Sequence, residues 1–192
     1  MRTPRRQVDP AAPGRTAGEA VAVLLAGGVV VYPSDTVYGL LCRADHRDAV
    51  ERIRRMKGSP PTKPFILLVD GPEMAGRMAD TTDPEIRAIL AQRWPGRLTV
   101  VLPALAGCPR WACADDGTIA LRHPADPLSG MLLRGVRQPL ASTSANLAGG
   151  EPALHPDGIP TSLLDKADLI LDAGHLPPSS PSTVIRLLRG QT

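Results

Sequence analysis

Small hydroxyls, an amide and a few cations recur where apolar runs end, the places at which side chains can meet a ligand. Tyr32-Pro33-Ser34-Asp35-Thr36-Val37-Tyr38-Gly39-Leu40 follows such a run and is too polar and punctuated to extend it. A strand end with hydroxyls, one carboxylate and a glycine suits a ligand loop of an open α/β sheet; equally, Asp35 could close an ordinary Asx turn. Lys57-Gly58-Ser59-Pro60-Pro61-Thr62-Lys63-Pro64 sets two lysines on a stiffened loop. Compact ammonium groups suit phosphates, and the alternative is a solvated connection behind a C-cap glycine. Ser142-Thr143-Ser144-Ala145-Asn146 offers three hydroxyls, an amide and backbone N–H groups, able to hold a phosphate or carboxylate or simply to turn. Thr118-Ile119-Ala120-Leu121-Arg122 ends on an arginine that can clamp a carboxylate bidentately or lie on the surface. Pro181-Ser182-Thr183 is one more small-hydroxyl turn. His46, His123, His155 and His175 fall in no metal-ligand or triad spacing, and neither a Walker loop nor a dinucleotide fingerprint is present.

The elements that must position these residues alternate. Helices are expected from Thr16, as cap, to Leu25, over Asp45 to Lys57, Asp83 to Gln92, Pro127 to Arg134 and 161–166. Strands are expected at Val29 to Tyr32, Phe65 to Val69, Leu98 to Leu102, Thr118 to Leu121, Leu140 to Ser142, Leu169 to Leu171 and Thr183 to Leu188. Such alternation predicts an α/β sheet covered by helices. Residues 1–16 carry four arginines and no apolar period, so they read as a flexible basic arm before one domain over 17–192.

Composition narrows the function. Five aromatic residues in 192 (one Phe, two Trp, two Tyr) argue against a protein that stacks successive unpaired bases. The net charge of +3 is compatible with nucleotide or RNA contact but is commonly just a solvated surface. Three cysteines, at 42, 108 and 113, with no signal peptide in front, predict reduced thiols in a cytoplasmic protein. A zinc site is not expected, and no apolar run reaches the roughly 20 residues of a membrane helix.

In this order and spacing the segments resemble the YrdC family, from about Ala17 to Leu187. The matching pieces are Tyr32 to Gly39 (the family's Y-P-T-E/D-T-V-Y-G), Lys57 with Lys63-Pro64, and Trp94-Pro95-Gly96-Arg97-Leu98-Thr99. Leu121-Arg122-His123-Pro124, Ser142 to Asn146 and Pro181-Ser182-Thr183-Val184-Ile185 complete them. The resemblance implies a twisted mixed α/β sheet with flanking helices around a large, positively charged cavity, in the short form without an extra C-terminal domain. It implies formation of threonylcarbamoyl-AMP and pyrophosphate from L-threonine, bicarbonate or CO2, and ATP with Mg²⁺. A separate transferase would pass the product to tRNA, and no metal site of the protein's own is implied. On the matching positions Thr36, Arg122, Ser142 and Ser182 would hold threonine. Lys57, Ser59, Lys63, Thr118 and Ser144 would attend ATP, and Lys57, Ser144 and Asn146 would carry the catalytic positions.

Two positions depart from the family pattern. Ser59 stands where the family's Lys-x-Arg has arginine, and Arg54 or Arg55, one turn earlier, could reach in instead. Arg186 stands where an acidic residue is usual. A carbamoyl-AMP-forming relative would need larger chains than this one. A degenerate member binding tRNA or double-stranded RNA through the phosphate backbone is the competing expectation.

Overall fold

A computed structural model describes residues 3–9, 12–60, 63–179 and 182–187. Pro181, Leu188 and the Pro61-Thr62 pair of the lysine loop lie outside the described residues. The strands are β1 Arg5–Gln7, β2 Val30–Pro33, β3 Tyr38–Arg43, β4 Ile66–Leu68, β5 Leu98–Pro103, β6 Thr118–Arg122, β7 Leu140–Ser144, β8 Leu169–Asp172 and β9 Thr183–Arg186. The helices are α1 Gly14–Leu25, α2 Arg47–Lys57, α3 Pro72–Met78, α4 Pro84–Arg93, α5 Pro127–Val136 and α6 Thr161–Leu164.

Among the described residues nine strands join one mixed sheet in the order β1-β8-β2-β3-β7-β4-β6-β5-β9. The expectation of a mixed α/β sheet with flanking helices is met. Both faces are covered, because apolar side chains alternate along the central strands. Val29 and Val31, Leu40 and Cys42, and Leu67 and Val69 point to one core with α2, α3, α4 and α6. Val30 and Tyr32, Leu41 and Leu68 point to the other, under α1 and α5. Burying Leu24, Leu132 and Leu133 there stabilises the fold by roughly 1.5–3 kcal/mol per side chain. Towards β6 and β9 that second face is no longer covered, and polar residues take over. The cavity opens there.

Three sequence expectations are corrected. The supposed basic arm is partly built in: Arg5–Gln7 pairs in parallel with β8, and Arg5 Nε and Gln7 Nε2 donate to the buried Asp172 carboxylate at 2.8 and 2.6 Å. Buried Asp172 supplies this anchor, and no local apolar period reveals it. Helix α1 starts two residues before Thr16, at Gly14, and the Thr16 hydroxyl donates to Gln7 O instead of capping. Tyr38 to Arg43 forms β3, because the polar stretch before it is a tight turn that returns the chain antiparallel to β2.

Candidate active site

The turn between β2 and β3 is closed by Ser34. Its hydroxyl donates to Val37 O at 2.6 Å and accepts from the Thr36 and Val37 N–H groups at 3.1 Å each. Asp35, the alternative turn-former, is thereby released to face the end of β6. Its carboxylate accepts from Arg122 Nη2 at 2.5 Å, while Arg122 Nε donates to Gly96 O at 3.2 Å. Arg97 Nη2 adds a bond to Asp35 O at 2.9 Å. Arg122 is therefore a buried, pre-oriented guanidinium, not a surface arginine.

β3 can lie close to β2 because residue 39 is glycine. A Cβ there would fall 2.7 Å from Tyr32 Cε1 and 3.1 Å from Thr143 O. The Tyr32 ring fills that space and meets Ser142 Oγ through its hydroxyl at 2.9 Å. Burial pushes the Tyr32 phenol well up, so it stays protonated as a hydrogen-bonding group.

These residues wall a cavity of about 340 Å³ on the polar part of the sheet. It brings together Thr36, Lys63, Arg122, Ser142, Ser144 and Ser182 from the sequence-based set. Ser182 is held by its hydroxyl contact with Thr99 Oγ1 at 3.0 Å. Asp126 and Ser129, at the start of α5, complete one wall. Asp126 Oδ1 accepts from Ser129 N at 2.8 Å as the helix cap. Burial, reinforced by the Asp35 charge, raises its carboxyl above the ordinary range. Besides the Tyr32 phenol, the ionisable side chains of the wall are two cations, Lys63 and Arg122, and two carboxylates, Asp35 and Asp126.

Lys57 and Ser59 line a small adjoining recess, shared with Lys63, Arg54, Phe65 and Thr143. Gly58, at φ 62°, ends α2 in the left-handed conformation and starts this loop. The buried Lys57 ammonium donates to Ser144 O, to Asn146 O at 2.6 Å and to Asn146 Oδ1 at 3.5 Å. Burial, with Lys63 adding a like-charge push, brings it down to about 8. Lysine here fastens the end of β7 to the end of α2. Asn146 lies outside the cavity wall: its amide donates to Leu147 O and Gly150 O at 2.8 and 2.6 Å, shaping the following loop.

Thr118 is not brought to the site. It begins the strand that Arg122 ends, some ~13 Å away at the rise of a β-strand, and its hydroxyl donates to Asp116 Oδ1 at 2.6 Å. Arg54 does stand beside Ser59, as the alternative cation would. Its two Nη atoms, however, are engaged by Glu51 at 2.7 Å, Trp111 O at 2.6 Å and Lys63 O at 3.4 Å, while its buried Nε has no hydrogen-bond partner among the described residues. Arg55 is exposed. Arg186 pairs with Asp116 at 2.6 Å, tying edge strand β9 to the β5–β6 connection.

Sequence reasoning missed Asp126 and Ser129, although Asp126-Pro127 is a recognisable helix start. It also missed the partner of Arg122, since the two lie 87 positions apart.

The fold recurs in known proteins. A threonylcarbamoyl-AMP synthase of Stenotrophomonas maltophilia is 41% identical over 160 residues, 82% of this chain and 86% of that protein. The crystal structure of E. coli YciO superposes with a TM-score of 0.87 at 30% identity, covering 98% of this chain and 92% of that one. P. abyssi Sua5, solved as a complex with L-threonine, gives a TM-score of 0.84 at 29% identity over 96% of this chain. This chain spans only 53–58% of the two P. abyssi Sua5 chains compared. The family model for Sua5, YciO and YrdC, described as telomere recombination, matches residues 22–192, and with that extent of agreement the chain belongs to this family.

Proposed function

We propose that this protein is an L-threonylcarbamoyladenylate synthase. It would join L-threonine, bicarbonate or CO2, and ATP into threonylcarbamoyl-AMP, releasing pyrophosphate. The observation that carries the reading is the convergence of Arg122, Thr36, Ser142, Ser144, Ser182 and Lys63 on one cavity. Its volume, about 340 Å³, is in the range of small-molecule sites. Relatives named threonylcarbamoyl-AMP synthase and the L-threonine complex of P. abyssi Sua5 support it.

In this reading the threonine carboxylate meets Arg122, whose geometry Asp35 and Gly96 O have already set. An arginine held in this way loses little freedom on binding and offers a bidentate face. Thr36, Ser142 and Ser182 surround the amino acid with hydroxyls. Carbamate formation then needs the uncharged amine beside bicarbonate. Adenylation needs the carbamate oxygen in line with the α-phosphate, and both steps gain from positioning and nearby cations. Lys63, and Lys57 across the recess, would offset charge developing on phosphate oxygens, beside Ser144.

Mg²⁺ would arrive with ATP. Among the described residues there is no group of three or more His, Cys, Asp or Glu that could hold a metal ion. Product transfer to tRNA by a separate enzyme, direct contact with RNA phosphates and a cytoplasmic setting belong to the same proposal. Among the described residues no helix is long and apolar enough to cross a membrane.

Threonine dependence of ATP-to-pyrophosphate conversion tests the proposal. Turnover that requires both threonine and bicarbonate supports it. RNA binding that falls steeply with salt, without turnover, favours the non-catalytic reading.

A further inference from the structure

The connection between β5 and β6 takes no part in the cavity, yet it carries two of the three cysteines. Cys108 Sγ and Cys113 Sγ lie 3.4 Å apart. Cys108 is buried, while Cys113 is half-buried with its thiol also directed to Pro109 O at 3.4 Å. The separation is set by a folded loop. Cys108 N donates to Leu105 O at 2.9 Å, Ala112 N to Pro109 O at 2.9 Å and Cys113 N to Arg110 O at 3.2 Å. Both thiols wall an open cavity of about 600 Å³ with Arg54, Arg110 and Trp111, wide enough for a small molecule to enter. A disulfide needs its sulfurs about 2.05 Å apart, so the present gap has to close by little more than ~1 Å.

The loop is also joined to the site. Trp111 Nε1 donates to Ala44 O at 2.8 Å, and Trp111 O accepts from Arg54 Nη2 at 2.6 Å. The same nitrogen reaches Lys63 O at 3.4 Å, and the guanidinium lies 5.2 Å from the centre of the Phe65 ring. One buried guanidinium thus links the backbone between the cysteines to the lysine that lines the cavity.

We propose that Cys108 and Cys113 form a reversible dithiol–disulfide site, oxidised by exchange with a low-molecular-weight disulfide of the glutathione type, which locks the Trp111 loop and stiffens the Arg54 link to Lys63. Cys113, the more accessible thiol, attacks first as its thiolate. One sulfur of the small disulfide bonds to Cys113 Sγ, the small S–S bond breaks, and one small thiol leaves, taking up a proton. Cys108, whose thiol burial pushes up, reacts second. Its thiolate attacks Cys113 Sγ and expels the second small thiol. Two protein thiols lose two electrons and two protons, and one small disulfide becomes two thiols.

The full-length protein in glutathione buffers, from fully reduced to fully oxidised, provides the test. Denaturing alkylation with peptide mass spectrometry counts thiols, and hydrogen exchange on the folded protein reads the loop. The expected result is alkylation of all three cysteines when reduced and of Cys42 alone when oxidised, with a linked Cys108–Cys113 peptide. Amides of residues 108–113 then exchange roughly tenfold more slowly, because the cross-link closes a short loop that otherwise opens locally. Protection also rises around Lys63. Cys113→Ser shows none of these changes between the two buffers, and Cys108→Ser gives no linked peptide and no added protection, stopping at the glutathione adduct on Cys113. In the unsubstituted protein, absence of the linked peptide, an unresolved glutathione adduct on Cys113, or a linked peptide with unaltered exchange in both segments overturns the proposal. None of these readouts depends on the proposed reaction.

Discussion

Arg122 and Lys57 show how one residue's surroundings decide its task. Arg122 is buried against Asp35 and Gly96 O, so its removal strips the cavity of an aimed cation. Arg122→Ala is expected to raise KM for threonine by roughly ten- to a hundredfold, the loss of a charge-assisted bond, with a smaller change in KM for ATP. Steady-state kinetics varying each substrate separates the two. Lys57 titrates near 8 in the fold against the usual 10.5. The folded state therefore releases this proton first, and its contribution to stability rises as pH climbs from about 8 towards 10.5. Reaction that needs the ammonium falls earlier, as pH rises through about 8. Lys57→Arg, charged throughout, should move that fall in kcat/KM to higher pH. Ser59 leaves a recess in which Arg54 is already committed to Glu51 and two carbonyls. Ser59→Arg should accordingly tighten ATP binding by roughly ten- to a hundredfold, and calorimetry showing equal affinity would mean that another cation already serves. Ser34, Asp35 and Thr36 were visible as a polar turn. Which of them closes the turn was not, because hydroxyl and carboxylate can both accept the same backbone N–H groups.

At the scale of elements, the strands were legible wherever an apolar run stood between turn signals, as at β2, β5, β7 and β8. β3 was hidden because its first residues, Tyr38 and Gly39, read as part of the turn. Its pairing partner β7 lies a hundred positions away, and that spacing has no local signature. α3 was missed for a similar reason: Pro72 to Met78 is short, and its helical order rests on packing Met74, Ala75 and Met78 into the core. Two substitutions probe how elements position the site. Gly39→Ala places a Cβ against the Tyr32 ring, and overpacking of this kind costs about 1–3 kcal/mol. Thermal unfolding should show that loss, and threonine binding should weaken as Tyr32 leaves Ser142. Leu132→Ala, fully buried where α5 meets α1, should cost about 2–5 kcal/mol by chemical denaturation. Its effect on turnover at low temperature should stay small, because Leu132 packs in the core and does not line the cavity that Asp126 and Ser129 border.

Across the whole molecule, the alternating pattern and the ordered motifs made fold class and family readable. The site was readable as a set of loops, with Thr118 standing apart from the others because β6 carries its two termini to opposite ends of the sheet. Asp126 was out of reach, since only the assembled sheet brings α5 to the same wall as β6. Whether this wall makes threonylcarbamoyl-AMP is decided by pyrophosphate release from ATP by the purified chain, measured with threonine and bicarbonate each present or omitted. Release is expected only when both are present, with most of it lost in Arg122→Ala; no release at saturating ATP, or release indifferent to threonine, would show that the wall does other work.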